Sequence, residues 1–251
     1  MRQQSKHYII KGILMRINKY LALAGLGSRR GVEELVKKGV VTVNGKTITD
    51  LATDIGDDDV VRVDGKNLTF EENYKYYILN KPKGYVTTSS DEKGRKTVMD
   101  LVKDIKGRVF PVGRLDYNTE GLLILTNDGD LAQKLMLPVS EIEKTYICVI
   151  KGNITEGELA VLRAGVKIDG VKLKKCKIKV LDVKDGKTRL EIKIHEGKNR
   201  QIRKMLEYVG KEITLLKRVG IGDLRVGGLS RGEYRELKEE EVAYLVALCG
   251  L

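Results

Sequence analysis

The sequence predicts an α+β protein built as two units, the larger on a mixed, mostly antiparallel sheet flanked by helices. Three observations point there. The texture changes near residue 75, from two helical runs with a few strands to many short alternating runs. The pairs Asn44-Gly45, Asp169-Gly170 and Asp185-Gly186 are turn formers that punctuate those runs as hairpins do. At 251 residues the chain is long enough for two cores, and it shows no internal repeat at a solenoid period.

Taken in order, residues 1–14 read as a leader or upstream extension, with Met15 as the expected start of organised sequence. Residues 15–70 form the first unit: helix, Gly-rich turn, second helix, strand and an Asn44-Gly45 hairpin. Ser28 is placed to cap the second helix and Gly39 to stop it, and the strand VRVDGKNL closes the unit. Residues 71–75 are polar and read as a linker to a second unit over 76–251. There, LLILT at 122–126 is a buried strand, and Asn127, Asp128 and Gly129 turn it into a helix over DLAQKLM. KIKVLDV, TRLEIKIHEG and the run Ile147–Ile150 alternate as half-buried antiparallel strands, while 156–164 and 199–208 have helical spacing.

The formal charge of +12, with bases spread from Arg16 to Lys238, implies basic faces on folded domains and a polyanionic partner. No apolar run has the length of a membrane span and no signal-peptide pattern precedes the first unit, so RNA or DNA fits better than a membrane. With no Trp and two Phe, base stacking falls to Tyr. Cys148, Cys176 and Cys249 are isolated, without metal-like spacing, as expected of reduced cytoplasmic thiols. Two His leave no basis for a zinc site or a His-centred triad, and no metal is expected. The Gly-Lys-Thr runs at Gly45 and Gly186 have Val40 and Leu181 where a phosphate loop needs its first Gly, which argues against nucleotide hydrolysis.

One segment concentrates the chemistry. In GRLDYNTEGLLILTNDG, residues 113–129, Asp116 stands on a loop just before the buried strand, where a rigid sheet can aim it. By itself this is also what an ordinary capped loop looks like. LNKPKGYVT at 79–87 sets Lys81 and Lys83 around Pro82 at a strand end. EKTY at 143–146 opens a strand, and HEGKNRQIRKML at 195–206 places Arg200 and Arg203 at helical spacing. LLKRVGIGDLRVGGLSRGEYREL follows at 215–237.

Together, and in this order, these motifs resemble the ribosomal RNA pseudouridine synthases of the RsuA and RluB type, over nearly the whole chain. The first unit resembles the α-L (S4-like) RNA-binding domain. That resemblance implies a pseudouridine synthase catalytic domain, no cofactor, ribosomal RNA as partner, a large-subunit (23S) target before a small-subunit one, and a monomer. It implies Asp116 as the catalytic residue, acting as nucleophile on the anomeric carbon or as base on a neighbouring ribose proton. Tyr146 becomes the aromatic that stacks on a flipped uracil, and Arg203 the cation that keeps Asp116 ionised and aimed. Arg114, Lys144, Arg200 and Lys81 are expected at the substrate, Lys81 on phosphate. Arg16, Lys19, Arg29, Arg30, Lys37, Lys38, Lys198, Lys217 and Arg218 are expected on RNA. The chain departs from the family before EKTY, where Leu137-Pro138 replaces the usual His-Pro. Two other readings fit less of the sequence. A catalytically silent RNA-binding assembly factor leaves the motif positions unexplained, and a glycoside hydrolase using Asp116 with Glu120 leaves the positive charge unexplained.

Overall fold

The computed structural model describes residues 14–68 and 74–251, which divide between residues 74 and 75 into two units. The expected leader, apart from Leu14, and most of the expected linker lie outside the described residues.

In the first unit β1 (Met15–Arg16) leads into α1 (Ile17–Leu23) and α2 (Arg29–Lys37), then β2 (Val41–Val43), β3 (Lys46–Thr47), β4 (Asp54–Ile55), β5 (Val61–Val63) and β6 (Lys66–Asn67). Ser28 Oγ accepts from the Gly31 amide at 3.0 Å and starts α2; Gly39, at φ +70°, ends it. Val32 and Val36, one turn apart, bury one face of α2 against Ile17, Leu21, Val41, Ile55 and Val61. Asn44 and Gly45 both take positive φ, 50° and 80°, the twist that a two-residue hairpin between β2 and β3 requires. The antiparallel pairing of β1 with β4 was not predicted: strands of two residues carry no periodicity to read.

The second unit runs β7 (Tyr76–Lys81), β8 (Phe110–Val112), β9 (Glu120–Thr126), α3 (Gly129–Met136), β10 (Lys144–Lys151), α4 (Glu156–Arg163), β11 (Lys167–Ile168), β12 (Val171–Lys172), β13 (Lys177–Lys184), β14 (Lys187–Ile194), α5 (Gln201–Tyr208), β15 (Ile213–Ile221), β16 (Leu224–Arg225), β17 (Tyr234–Glu236) and α6 (Glu239–Leu248). Its main sheet has the order β13-β14-β10-β15-β9-β7-β17, with β16 beside β15 and β8 beside β9. Every pairing in it is antiparallel except β15 with β9. This is the mixed, mostly antiparallel sheet that the turn signals predicted.

Both faces of the central strands are covered, which explains why β9 reads as a continuous apolar run rather than an alternating one. Leu79, Leu123, Leu125, Tyr146, Cys148 and Ile192 form one core with Leu159 and Leu162 of α4 and Ile202, Met205 and Leu206 of α5. Ile78, Leu122 and Ile124 form the other, with Leu131 and Leu135 of α3 and Leu245 of α6. Asp128 starts α3, its carboxylate accepting from the amides of Asp130 and Leu131 at 3.1 and 3.0 Å.

Candidate active site

The loop between β8 and β9 is fastened at its backbone on several sides. The Thr119 amide donates to the Asp116 carbonyl at 3.0 Å, Gly84 donates to Tyr117 at 2.9 Å, and Thr87 Oγ1 donates to the Leu115 carbonyl at 2.8 Å. From below, the Lys81 ammonium donates to the carbonyls of Asp116, Thr119 and Pro82 at 3.0, 3.0 and 3.1 Å. With its main chain held, Asp116 presents a carboxylate that is 33 % exposed.

Arg203, in the first turn of α5, approaches that carboxylate: its Nε lies 3.8 Å from Oδ2. This is ion-pair contact and too long for a hydrogen bond, so the Nε proton has no acceptor. The guanidinium is oriented instead by Nη2, which donates to the Asn118 carbonyl at 2.8 Å and Thr119 Oγ1 at 3.2 Å. Burial and the neighbouring Arg200 push its pKa down, while Asp116 and Cys148 push it up. Arg203 therefore lies within electrostatic reach of both the Asp116 loop and Cys148, two residues along β10 from Tyr146. Burial raises the Cys148 thiol to about 12, which leaves it protonated near neutrality and rules it out as a thiolate nucleophile.

Strand register aligns a row of residues beneath this loop. Lys81 of β7 faces Gly121 of β9, Gly121 faces Arg218 of β15, Arg218 faces Tyr146 of β10, and Tyr146 faces Ile192 of β14. Because residues directly opposite share a face, the five positions point to the side of the sheet that α5 covers. Tyr146 is nearly buried, with 8 % of its surface exposed.

The row corrects two expectations. Lys81 is fully buried, so it has no route to a phosphate; it ties the Asp116 loop to the sheet. Arg218 is 4 % exposed and its Nε donates to the Leu122 carbonyl at 2.8 Å, which places it in the interior opposite Tyr146 rather than on an outer basic face. Lys217, its neighbour along β15, points to the opposite face of the sheet and does not join the row. Arg200 also departs from expectation: it sits at the cap of α5 in the left-handed region, φ 51° and ψ 30°, so it does not share a helical face with Arg203. Arg200 and Lys198 are exposed on the turn before α5, Arg114 is exposed on the Asp116 loop, and Lys144 is half-buried at the start of β10.

A brace that sequence reasoning missed holds the turn before α5. Buried Glu196 accepts from the Lys174 amide at 3.0 Å and Gln201 Nε2 at 2.8 Å, while Gln201 Oε1 accepts from the Lys198 amide at 3.1 Å. No spacing rule announces it, because Lys174 is far away in sequence. Glu120 is buried and tied to Arg231 at 2.9 Å, and lies on the face of β9 away from the row. It therefore does not pair with Asp116 across a cleft as a hydrolase would require.

Lys81 also makes the site sensitive to pH. Burial lowers its ammonium to about 8, with Asp116 and Glu120 opposing the fall. Neutralising it removes a donor from the carbonyls that hold the Asp116 loop, so turnover at this site is expected to fall with a midpoint near pH 8. The stability linkage has the opposite sign. Between about 8 and the unfolded value of 10.5 the unfolded chain binds more protons at this group, so its contribution to stability rises with pH. Turnover should decline over that interval without a matching decline from Lys81 in the melting temperature; a flat turnover profile to pH 9 would exclude the role.

In the first unit Arg29, Arg30, Lys37 and Lys38 are exposed, Lys19 is half-buried, and Arg16 is held by Asp54 at 3.3 Å. The first turn of α2 carries two arginines and no acid, against the preference of a helix N-terminus for negative charge. The helix dipole gains nothing from this arrangement, whereas a phosphate there would gain.

Among the described residues, no helix is long and apolar enough to cross a membrane. Residues 75–208 match the model of the RNA pseudouridylate synthase family, and residues 15–66 match the S4 domain. The chain is 44 % identical over 235 residues to ribosomal large subunit pseudouridine synthase B of Bacillus subtilis (strain 168), covering 93 % of this chain and 96 % of that one. It is 38 % identical over 239 residues to the dual-specificity RNA pseudouridine synthase RluF of Salmonella typhi, covering 93 % and 79 %. A solved structure described as a pseudouridylate synthase superposes with a TM-score of 0.66 at 27 % identity, covering 92 % of this chain and all of that one. Fold, motif order and these matches agree: the chain belongs to the RNA pseudouridylate synthase family and carries an S4 domain ahead of its catalytic domain.

Proposed function

We propose that the protein converts a uridine of ribosomal RNA to pseudouridine, with the large-subunit RNA as its target and Asp116 as its catalytic residue. The observation that carries this is the backbone-fastened Asp116, whose carboxylate faces solvent beside an incompletely bonded Arg203. A relative named for the ribosomal large subunit supports the target, and the reading extends to a monomeric cytoplasmic enzyme.

The reaction breaks the bond from ribose C1′ to uracil N1 and makes one from C1′ to C5. The proton that leaves C5 is balanced by one gained at N1, so neither oxidant nor cofactor enters. Asp116 serves as nucleophile at C1′ or as base toward a neighbouring ribose proton. Arg203 aims it, and Tyr146 stacks on a base extruded at a cost of about a few kcal/mol. Arg114, Lys144, Lys198 and Arg200 border the nucleotide or its backbone. Unmodified ribosomal RNA labelled with tritium at uracil C5, incubated with the protein without metal or nucleotide, tests the reading. Label release is the expected result; a gel shift without release would make this an RNA-binding factor and reject it.

Tyr146→Phe keeps the ring and the packing and should retain turnover within about threefold, whereas Tyr146→Ala should lose about five- to a hundredfold, since aromatic stacking contributes ~1–3 kcal/mol per base. Equal rates for the two variants would count against stacking. For the first unit, replacing Arg29 and Arg30 together with Ala should leave its stability within about 0.5 kcal/mol. Affinity for RNA should fall, and the slope of log affinity against log salt should shrink by about 0.7–0.9 for each phosphate left without its cation. An unchanged slope would remove these residues from the interface.

A further inference from the structure

Two cations flank Tyr146 without a counter-ion. Arg218 lies opposite Tyr146 in the strand register and is 4 % exposed; its Nη2 is buried with no hydrogen-bond partner. Lys144, two residues before Tyr146 on the same strand, donates only to the Ile142 carbonyl at 3.3 Å. Among the described residues no carboxylate reaches ion-pair distance of either one, and the charge that Lys144 feels is Arg218 itself. Uncompensated buried charge is costly, and an orphaned buried donor calls for a reason. Here two like charges share one place, each raising the cost of the other.

The sheet has made room for them. Gly121, opposite Arg218 on β9, takes φ +107°, and a Cβ there would lie 2.0 Å from the Arg218 carbonyl oxygen. The absent side chain lets β15 approach β9 and lets the guanidinium reach the Leu122 carbonyl, which fixes Nε and leaves Nη2 unspent.

We propose that Arg218 and Lys144 form an anion subsite beside Tyr146 that receives an anionic oxygen of the target nucleotide. The inference rests on the pseudouridine synthase reading. Two parts of the nucleotide supply that chemistry. One is the phosphate flanking the target, charged throughout. The other is uracil: when N1–C1′ breaks, the electron pair stays with the base and its charge spreads over N1 and the two ring oxygens. A fixed donor in a low-dielectric site acts strongly on charge that develops there.

The test uses the full-length protein in single-turnover assays. Arg218→Gln is expected to lower turnover by about a hundredfold, as loss of one fixed donor does elsewhere. Arg218→Lys, which keeps the charge, should recover part of this loss, and Lys144→Gln should lose about tenfold. Each variant is then assayed on RNA whose flanking phosphate is a neutral methylphosphonate, and on RNA with 5-fluorouridine at the target, whose base leaves more readily; since fluorine replaces the C5 hydrogen, the readout there is loss of the N1–C1′ bond, measured by nuclease digestion and chromatography. If the phosphate is the ligand, methylphosphonate slows the parent and leaves Arg218→Gln unchanged. If the uracil is the ligand, 5-fluorouridine restores Arg218→Gln at least tenfold relative to the parent. Parent and variants responding alike in both arms would overturn the subsite. Should Arg218→Gln fail to fold, Lys144→Gln, at a half-buried position, carries the same comparison. A parent enzyme that forms no pseudouridine at all would instead reject the underlying function, so the two failures are distinguishable.

Discussion

Asp116→Asn is expected to abolish pseudouridine formation, with turnover down at least a thousandfold, about 4 kcal/mol in barrier, while RNA affinity stays within about threefold of the parent. The substitution is nearly isosteric, and the loop is held through carbonyls that Asn leaves untouched. The Arg203 guanidinium is anchored by Asn118 and Thr119 and keeps its place without the carboxylate. What disappears is the charge and the nucleophilic or basic oxygen, so the loss should appear in the chemical step and not in binding or melting temperature. Single-turnover tritium release and a filter-binding titration on the same RNA separate these. Turnover within about tenfold of the parent, about 1.4 kcal/mol, would sink the assignment.

The second large effect is on stability. In Gly121→Ala the new methyl would sit 2.0 Å from the Arg218 carbonyl oxygen and 2.8 Å from its amide nitrogen, at a φ of +107° that side chains rarely adopt. The atoms it meets are backbone of a neighbouring strand, so nothing flexible can yield. β9 is buried along its whole length, so relief requires β9 and β15 to separate. A cost of about 4 kcal/mol or more is expected, lowering the melting temperature by roughly 8–16 °C or preventing folding. Gly129→Ala is the control: it stands in the first turn of α3 with no heavy atom within 4 Å of its Cβ position, and should be nearly neutral. Melting of Gly121→Ala within about 3 °C of the parent would show that the approach of the two strands is not obligatory.

What the sequence disclosed was local. Ser28 and Asp128 announce helix starts because a short polar side chain meets the free amides of its own next turn. Asn44-Gly45 announces a hairpin because few residues accept its dihedral angles. Asp116 and Arg203 entered together through the resemblance that the motifs carry, and the fold sets the two side chains 3.8 Å apart. Contacts between distant segments were not visible. Lys81 and Arg218 are residue types that sequence reading sends to the surface, and only their neighbours, the carbonyls of 116, 119 and 122, explain their burial. The brace of Glu196 and Gln201 depends on a Lys174 amide that no spacing rule connects to it.

The short parallel pairing of β9 with β15 has a consequence for biosynthesis. Lys217 and Arg218 meet Glu120 and Gly121 across nearly a hundred residues, and this seam joins the strands beside Asp116 to those that carry Tyr146. Closing so long a loop comes late, after hairpins such as β13 with β14 can already form. In a nascent chain that has not yet released β15 from the ribosome, no strand joins β9 to β10 in the main sheet, and the Asp116 loop and Tyr146 come into register only when that last central strand slots in.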